Sequence, residues 1–285
     1  PSPPDRLVRK ERALQMEFAP LFSGSSGNAI YVRANETRLL VDAGLSGNRM
    51  QQELEKLDVE PGQLDALLIT HEHADHVAGA GIFSRRYDLP VYATEGTWQA
   101  MAGKLGRIAP KHRCVIVPGQ DFYVGDMNVL PFPIPHDAAQ PVGFSFSAGG
   151  LKAAIATDIG HICEEWLGEL AGSDLVLLES NHDVEMLKAG RYPYALKRRI
   201  LGDRGHLSNE DAGRAAVCLA ERGVKHIILG HLSGENNFPA LALQAVCYAL
   251  DAAGLTPGEA LGLDVARRDG LSGRYCLSSG EDAHE

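Results

Sequence analysis

The segment Thr70–His76 reads Thr-His-Glu-His-Ala-Asp-His, and it constrains this chain more than any other stretch. It directly follows the apolar run Leu67–Ile69, which predicts a short buried strand. Packing alone gives no reason to place three imidazoles and a carboxylate together at the end of a strand. Such nitrogen and oxygen ligands suit zinc, manganese or iron. The predicted metal ligands of this segment are His71, His73, Asp75 and His76.

The same arrangement, an apolar strand followed at once by a ligand, recurs further along the chain. In layered α/β proteins, binding sites gather at the carboxyl ends of strands. We therefore expect these later side chains to join the first group at one edge of a sheet. The further predicted ligands are His136, Asp158 and His231.

Strands and helices alternate along most of the 285 residues, and no Gly/Ser linker interrupts them. This order favours one layered α/β domain over two separate domains. We expect that domain to cover residues 16–285. Residues 1–15 are rich in proline and charge, and we expect them to be an N-terminal extension ahead of a natural start at Met16. Helices are predicted over residues 46–57, 77–87, 162–171, 209–221 and 238–253.

Composition excludes several other classes of protein. The balance of 27 basic against 37 acidic residues gives a net charge of −10, which disfavours a protein that coats polyanions along its whole surface. The five cysteines lie far apart without a CxxC pair, so we expect neither a disulfide framework nor a zinc ribbon. No apolar run approaches the roughly 18 residues of a bilayer span, so no membrane partner is expected. A reducing, cytoplasmic location follows as the expectation.

The His-x-His-x-Asp-His motif, together with the three later ligands, resembles the metallo-β-lactamase superfamily with a complete dinuclear site. This resemblance implies an α/β fold, a four-layer αββα sandwich, and a metal-dependent hydrolase. Five further strings resemble the YycJ (WalJ)-like branch of the superfamily. They are Ser23–Asn28, Val41–Gly44, Glu179–Asp183, Gly205–Asn209 and His231–Asn237.

The resemblance also implies how the seven ligands divide between two divalent ions, zinc or manganese, with iron as a further option. One ion is then bound by His71, His73 and His136, the second by Asp75, His76 and His231, and Asp158 bridges them. Two such ions lower the pKa of a bridging water and clamp an in-line displacement, so Asp75 is also expected to be essential for catalysis. Asp42 matches a family acid that orients the ligand loop.

Resemblance to the branch implies a nuclease, and more narrowly a DNA exonuclease that acts from 5′ ends. The segment 188–204 supports a nucleic-acid substrate independently, because it holds six Lys and Arg side chains against one acid. Tyr192 and Tyr194 interleave with these cations and suit base stacking. We predict His206 as a proton donor to the leaving group. Predicted substrate-binding residues are Ser25, Ser26, Asn28, His182, Arg198 and Arg199.

Two other classes of function stay open from the residues alone. The same ligands serve lactonases, thioesterases and enzymes acting on cyclic phosphodiesters, so a small-molecule metallohydrolase is the alternative. A non-hydrolytic iron protein or a binding scaffold is the third interpretation. The oligomeric state does not follow from the sequence.

Overall fold

The computed structural model of the protein describes residues 15–279, so the predicted N-terminal extension lies outside the described residues apart from Gln15. Within this range the chain forms two seven-stranded sheets. The strands, numbered along the chain, are β1 (Gln15–Phe22), β2 (Ala29–Ala34), β3 (Thr37–Val41), β4 (Ala66–Leu68), β5 (Val91–Thr94), β6 (Arg113–Ile116), β7 (Phe122–Val124), β8 (Met127–Pro133), β9 (Val142–Ala148), β10 (Leu151–Ala156), β11 (Leu175–Glu179), β12 (His226–Gly230), β13 (Gly262–Val265) and β14 (Tyr275–Ser278).

The α-helices are likewise numbered along the chain. They are α1 (Gly47–Glu55), α2 (Ala74–Val77), α3 (Ala80–Tyr87), α4 (Glu95–Ala100), α5 (Glu164–Leu170), α6 (Val184–Ala189), α7 (Tyr194–Ile200), α8 (Asn209–Glu221) and α9 (Pro239–Ala252), with short 3₁₀ turns at Pro61–Gln63 and Pro110–His112. No helix within residues 15–279 has both the length and the apolar character needed to cross a bilayer.

Each sheet has an antiparallel half and a parallel half. The first sheet has the order β14-β1-β2-β3-β4-β5-β6, and β3 to β6 run parallel to one another. The second has the order β13-β12-β11-β10-β9-β8-β7, and β10 to β13 run parallel. Strand β8 shares their direction, because it pairs antiparallel with β9 and β9 pairs antiparallel with β10. Several strands of each sheet therefore present their carboxyl ends at one edge.

Three apolar layers hold the sandwich together. The middle layer lies between the sheets and includes Phe18 and Leu39 from the first sheet and Phe144 and Ile155 from the second. One outer layer packs α1, α3 and α4 on the first sheet, and the other packs α5, α8 and α9 on the second. The order helix, sheet, sheet, helix confirms the predicted αββα sandwich.

The best-predicted element is α8, which begins and ends where the sequence predicts. Its N-cap is Ser208, whose side-chain oxygen accepts a hydrogen bond from the backbone N–H of Asp211. The predicted helix over residues 77–87 is divided into α2 and α3. The sequence pattern did not predict α4, α6, α7, β13 or β14, which are all seven residues or shorter.

The middle layer supplies a test of the packing. Phe144 is fully buried there, so Phe144→Ala leaves a cavity between the sheets. We expect the free energy of unfolding to fall by about 3–5 kcal/mol, measured by urea denaturation at constant metal concentration. Tyr248→Ala is the control, since that ring is 76% exposed, and it should change the stability by less than about 0.5 kcal/mol. Equal, small effects of both variants would contradict the assignment of Phe144 to the core.

Candidate metal centre

The structure brings the seven predicted metal ligands together at the edge where the parallel strands end. They come from four segments, which follow β4, β8, β10 and β12. The first two strands lead into loops, whereas the last two are followed within two residues by Asp158 and His231. We call this group the seven-ligand cluster; its members are His71, His73, Asp75, His76, His136, Asp158 and His231.

Three residues of this edge have an unusual backbone conformation. Asp42, Asp158 and His231 each follow the end of a strand, and each has a positive φ, between 56° and 61°. Non-glycine residues rarely adopt this left-handed region, and where they do the residue commonly serves a site. The left-handed turn directs the backbone away from the strand axis just where a ligand is needed.

The first part of the cluster is a group of three histidines. Nδ1 of His73 lies 3.0 Å from Nε2 of His71 and 3.3 Å from Nε2 of His136. Ligand nitrogens at the usual zinc distance of about 2.0–2.1 Å stand about 3.3 Å apart around a tetrahedral ion. The spacing of the three nitrogens therefore fits a shared cation. Nδ1 of His136 lies 3.2 Å from the Gly205 carbonyl, which leaves Nε2 free for an ion.

The second part contains Asp75, His76 and His231, whose ligand atoms also lie within 4.8 Å of one another. Nε2 of His76 is 3.5 Å from Oδ2 of Asp75, and Nε2 of His231 is 3.8 Å from the same oxygen. Asp158 lies between the two parts. Its Oδ1 is 3.7 Å from Nε2 of His136, and its Oδ2 is 3.4 Å from Nε2 of His76.

Two buried atoms of the cluster bear on whether it fits a metal ion. Oδ2 of Asp158 and Nε2 of His231 are inaccessible to solvent and have no hydrogen-bond partner within the described part of the chain. A buried polar atom without a partner destabilises a fold, so such atoms are rare unless an ion or water completes them. The donor set, nitrogen and carboxylate oxygen without thiolate, suits a divalent cation. These residues therefore fit a metal ion.

Asp42 contacts the loop that carries the first four predicted ligands. Its Oδ1 accepts a hydrogen bond from the backbone N–H of Thr70, and its Oδ2 lies 2.8 Å from Nδ1 of His76. Since a carboxylate only accepts, Nδ1 of His76 carries the proton and its Nε2 faces the cluster. The Thr70 hydroxyl donates to the same carboxylate, which fixes the start of the loop.

Glu179 is a site residue that the sequence analysis missed. It is fully buried at the end of β11, and its Oε1 lies 2.7 Å from Nδ1 of His231 and 2.9 Å from Nδ1 of His206. Its Oε2 accepts from the backbone N–H groups of Ile159 and Leu207. One carboxylate thus orients two imidazoles. The signal was present in the sequence, because Glu179 follows an apolar strand just as Asp158 does.

The charges of the cluster shift its pKa values in opposite directions. Burial lowers the pKa of His71 and of His136, so both rings are neutral and can offer a lone pair. Burial also disfavours the charged form of His231, but Asp158, with Asp75 and Glu179, outweighs it and raises the pKa of His231 to about 10.

The acids show the complementary shift. Burial would raise the pKa of Asp158, but the charges on His231 and His76 lower it below the usual value. The pKa of Asp75 is lowered in the same way, with His76 as the strongest opposing charge. The carboxylates of the centre are therefore ionised. Their negative charge is balanced either by protonated imidazoles or by a bound cation.

The predicted substrate-binding residues differ in their exposure to solvent and in their hydrogen-bond partners. Ser25 and Ser26 are exposed, and Ser25 lines a cavity of about 160 Å³ beside His206. The side chain of Asn28 is buried and hydrogen-bonds Gly24, and its Nδ2 also lies 3.1 Å from Nε2 of the predicted ligand His76. His182 is buried, its two ring nitrogens have no partner among the described residues, and burial lowers its pKa to about 4.

Most cations of segment 188–204 already have partners. Arg199 pairs with Asp137, with Nη2 and Oδ1 3.1 Å apart, and Lys197 donates to two backbone carbonyls. Arg204 donates to the carbonyl of His136, 2.7 and 2.9 Å away, and so supports a predicted ligand.

Lys188 pairs with the exposed Glu185, whereas Arg198 is exposed and has no carboxylate within 4.0 Å among the described residues. The free positive charge is smaller than the sequence suggests.

Comparison with known proteins identifies the class to which this fold and site belong. The profile of the β-lactamase superfamily domain matches residues 37–232. The chain is a member of the metallo-β-lactamase superfamily.

Two curated relatives narrow the placement to one branch. The chain is 42% identical to exodeoxyribonuclease YycJ of Bacillus anthracis over 245 residues, which cover 86% of this chain and 93% of that protein. It is 40% identical to exodeoxyribonuclease WalJ of Streptococcus pneumoniae D39, over 85% of this chain and 91% of the relative. These similarities confirm the predicted YycJ (WalJ)-like branch.

Solved structures agree on the fold. The metallo-β-lactamase fold protein YhfI of Bacillus subtilis superposes with a TM-score of 0.68 at 16% identity, over 90% of this chain and 98% of that chain. Zinc-bound PqqB of Methylobacterium extorquens also gives 0.68, at 21% identity, over 92% and 100% of the two chains. At these identities the likeness extends to the fold alone.

The position of Glu179 generates a test by mutation. Glu179→Gln removes the charge that orients His231 while keeping the size of the side chain. We expect the affinity for Zn²⁺ to fall about 10- to 100-fold, measured by competition with a chromophoric chelator. Glu164→Gln is the matched control, because Glu164 is an exposed acid that pairs with Arg222. An unchanged zinc affinity in Glu179→Gln would contradict the role of this carboxylate.

Proposed function

We propose that this protein is a metal-dependent DNA exonuclease that degrades from the 5′ end and uses two divalent cations, zinc or manganese. The proposal rests above all on the seven-ligand cluster, in a chain 40–42% identical to two exodeoxyribonucleases over most of its length. His71, His73 and His136 would hold one ion, Asp75, His76 and His231 would hold the other, and Asp158 would be available to both. A cytoplasmic location agrees with a DNA substrate.

The metal ions supply an activated water at neutral pH and charge stabilisation for phosphodiester hydrolysis. The protein's own residues position this chemistry and shield it from bulk water. His71, His76, His136 and His231 are all at most 1% exposed, so their nitrogens act in a site of low dielectric, where charge interactions are strong. Asp42 and Glu179 fix the orientation of His76 and His231.

His206 is the proposed general acid. Nδ1 of its ring donates to Glu179 at 2.9 Å, which leaves Nε2 for a leaving oxygen. Burial lowers the pKa of His206, but the charge and hydrogen bond of Glu179 outweigh it, and the net shift is upward. A raised pKa favours the protonated form of the ring, which an acid requires. The side chain of His206 is one-fifth exposed, whereas His136 and His231 are buried, and its ring lies 5.2 Å from that of His136.

A small cavity next to His206 is the proposed site of the terminal nucleotide. It measures about 160 Å³ and is lined by Ser25, Tyr192, Arg199 and Ser233 as well as His206. Tyr192 offers a face for a base, and the hydroxyl groups and Arg199 offer donors for phosphate oxygens. Arg198 and Tyr194 are both exposed on α7 and do not line this cavity, so they would contact DNA only outside it.

Cleavage of end-labelled DNA tests the proposed reaction. We expect Mn²⁺ or Zn²⁺ to support stepwise shortening from the 5′ end, EDTA to stop it, and Asp75→Ala to reduce the rate at least about 10³-fold, because that variant removes a predicted ligand. The panel includes RNA, duplex DNA and bis-p-nitrophenyl phosphate. Cleavage of the small diester without cleavage of DNA or RNA would favour a small-molecule hydrolase instead.

The role of His206 has a separate test. His206→Ala should lower kcat on DNA about 10²- to 10⁴-fold, since the departing sugar oxygen needs a proton. The loss should be much smaller on bis-p-nitrophenyl phosphate, whose leaving group departs without protonation. Metal content, measured for both proteins, controls for damage to the neighbouring ligands. Equal losses on the two substrates would reject His206 as the acid.

A further inference from the structure

A second and larger cavity begins one residue after the predicted ligand His231. It measures about 910 Å³, and Leu232, Ser233 and Gly234 form one of its walls. Residues 265–271, which lie beyond the matched domain of residues 37–232, form much of another wall. We call this cavity the Arg268 groove. Neither the seven-ligand cluster nor segment 188–204 contributes to it.

Arg268 lies between the two loops that flank the metal centre. A Cβ atom on Gly24 would stand 3.0 Å from Cγ of Arg268, and one on Gly234 would overlap its Nη1. Neither glycine has a positive φ, so the backbone conformation does not require glycine at either position. The close approach of the Arg268 side chain explains why both positions lack a side chain. Both loops touch the centre directly, because Ser23 accepts a hydrogen bond from the backbone N–H of His231.

The groove carries positive charge that the protein does not neutralise. Lys56 is already paired with Glu53, at 2.7 Å, and contributes little. Arg268 has one carboxylate nearby, Asp269, at 3.7 Å. Arg267 is exposed, and no carboxylate lies within 4.0 Å of it among residues 15–279. Two arginines, whose planar guanidinium groups match phosphate oxygens, therefore face the groove against one acid.

The groove also holds an aromatic face and meets the nucleotide cavity. Phe238 lines it and is 49% exposed, which is unusual for a large apolar side chain. Arginines with an exposed aromatic ring are the combination that binds unpaired nucleic acid, by phosphate contact and base stacking. Ser233 lines both this groove and the cavity beside His206, so the two cavities adjoin at that residue.

We propose that the Arg268 groove binds the single-stranded phosphodiester backbone of the DNA substrate next to the cleaved nucleotide. This inference rests on the proposed nuclease function and adds a substrate track to it. Arg267 and Arg268 contact phosphates, and Phe238 stacks on an unpaired base. The groove favours one strand over a double helix, because stacking on Phe238 requires a base that is not paired.

Binding of a labelled oligonucleotide tests the groove. The probe is a fluorescein-labelled single-stranded phosphorothioate 20-mer, which resists cleavage, and its anisotropy is measured with metal-loaded protein over a range of salt concentrations. We expect Arg267→Ala and Arg268→Ala each to weaken binding about 10-fold. The slope of log Kd against log salt should fall by about 0.7 for each phosphate that an arginine no longer neutralises. Arg268→Lys keeps the charge and should restore the slope in part.

The controls separate a local effect from damage to the fold. Arg268→Ala also removes packing from two loops, whereas Arg267→Ala removes only an exposed side chain. If both variants lose affinity for the oligonucleotide to a similar extent, the loss comes from the groove and not from damage to the loops. Arg107→Ala removes an exposed charge that does not line the groove, and it should leave binding unchanged.

Three outcomes would overturn the inference. If the wild-type protein binds and cleaves DNA while both groove variants keep its affinity and salt slope, the groove is not the track and the nuclease function stands. Equal losses on duplex and single-stranded probes would reject the assignment to an unpaired strand. If the wild-type protein neither binds nor cleaves DNA, the proposed function fails and this inference fails with it.

Discussion

The metal centre depends on one constraint, the common direction of strands from two different sheets. Parallel pairing of β3 with β4 and of β10 with β11 and β12 brings their carboxyl ends to one edge, and β8 shares that direction. Each of these strands ends in, or is followed by, an acid, a histidine or a loop that carries predicted ligands. Buried carboxylates then fix the rings, Asp42 for His76 and Glu179 for His231. If the strands ran antiparallel, the same side chains would lie at opposite edges.

The electrostatics of the centre follow from this crowding. Several carboxylates and imidazoles are buried at the same edge, and each ionised group is stable only beside an opposite charge. The ionised Asp75 and Asp158 favour a positive charge on His231, whereas the neutral rings of His71 and His136 offer lone pairs. A divalent cation serves both needs, since it replaces protons on one side and accepts lone pairs on the other.

The sequence predicted the fold well because its signals were local. Strand ends followed by ligands required only a few adjacent residues, and α8 was predicted by its cap and apolar spacing. Glu179 was missed because one buried acid after a strand resembles many others until its partners His206 and His231 are in place. The edge strands β13 and β14 are only partly buried, so their apolar pattern is weak. The Arg268 groove could not be foreseen, because it joins residues 56, 234 and 268.

The hydrogen bond from the backbone of His231 to Ser23 spans 208 positions of the chain and joins the two sheets beside the predicted ligands. The first sheet supplies the ligands of residues 71–76, and the second supplies those of residues 136–231. A complete set of ligands therefore exists only after both halves of the chain have folded against each other. An ion bound by the complete set at 100 times its Kd would therefore stabilise the assembled sandwich by about 2.7 kcal/mol through mass action.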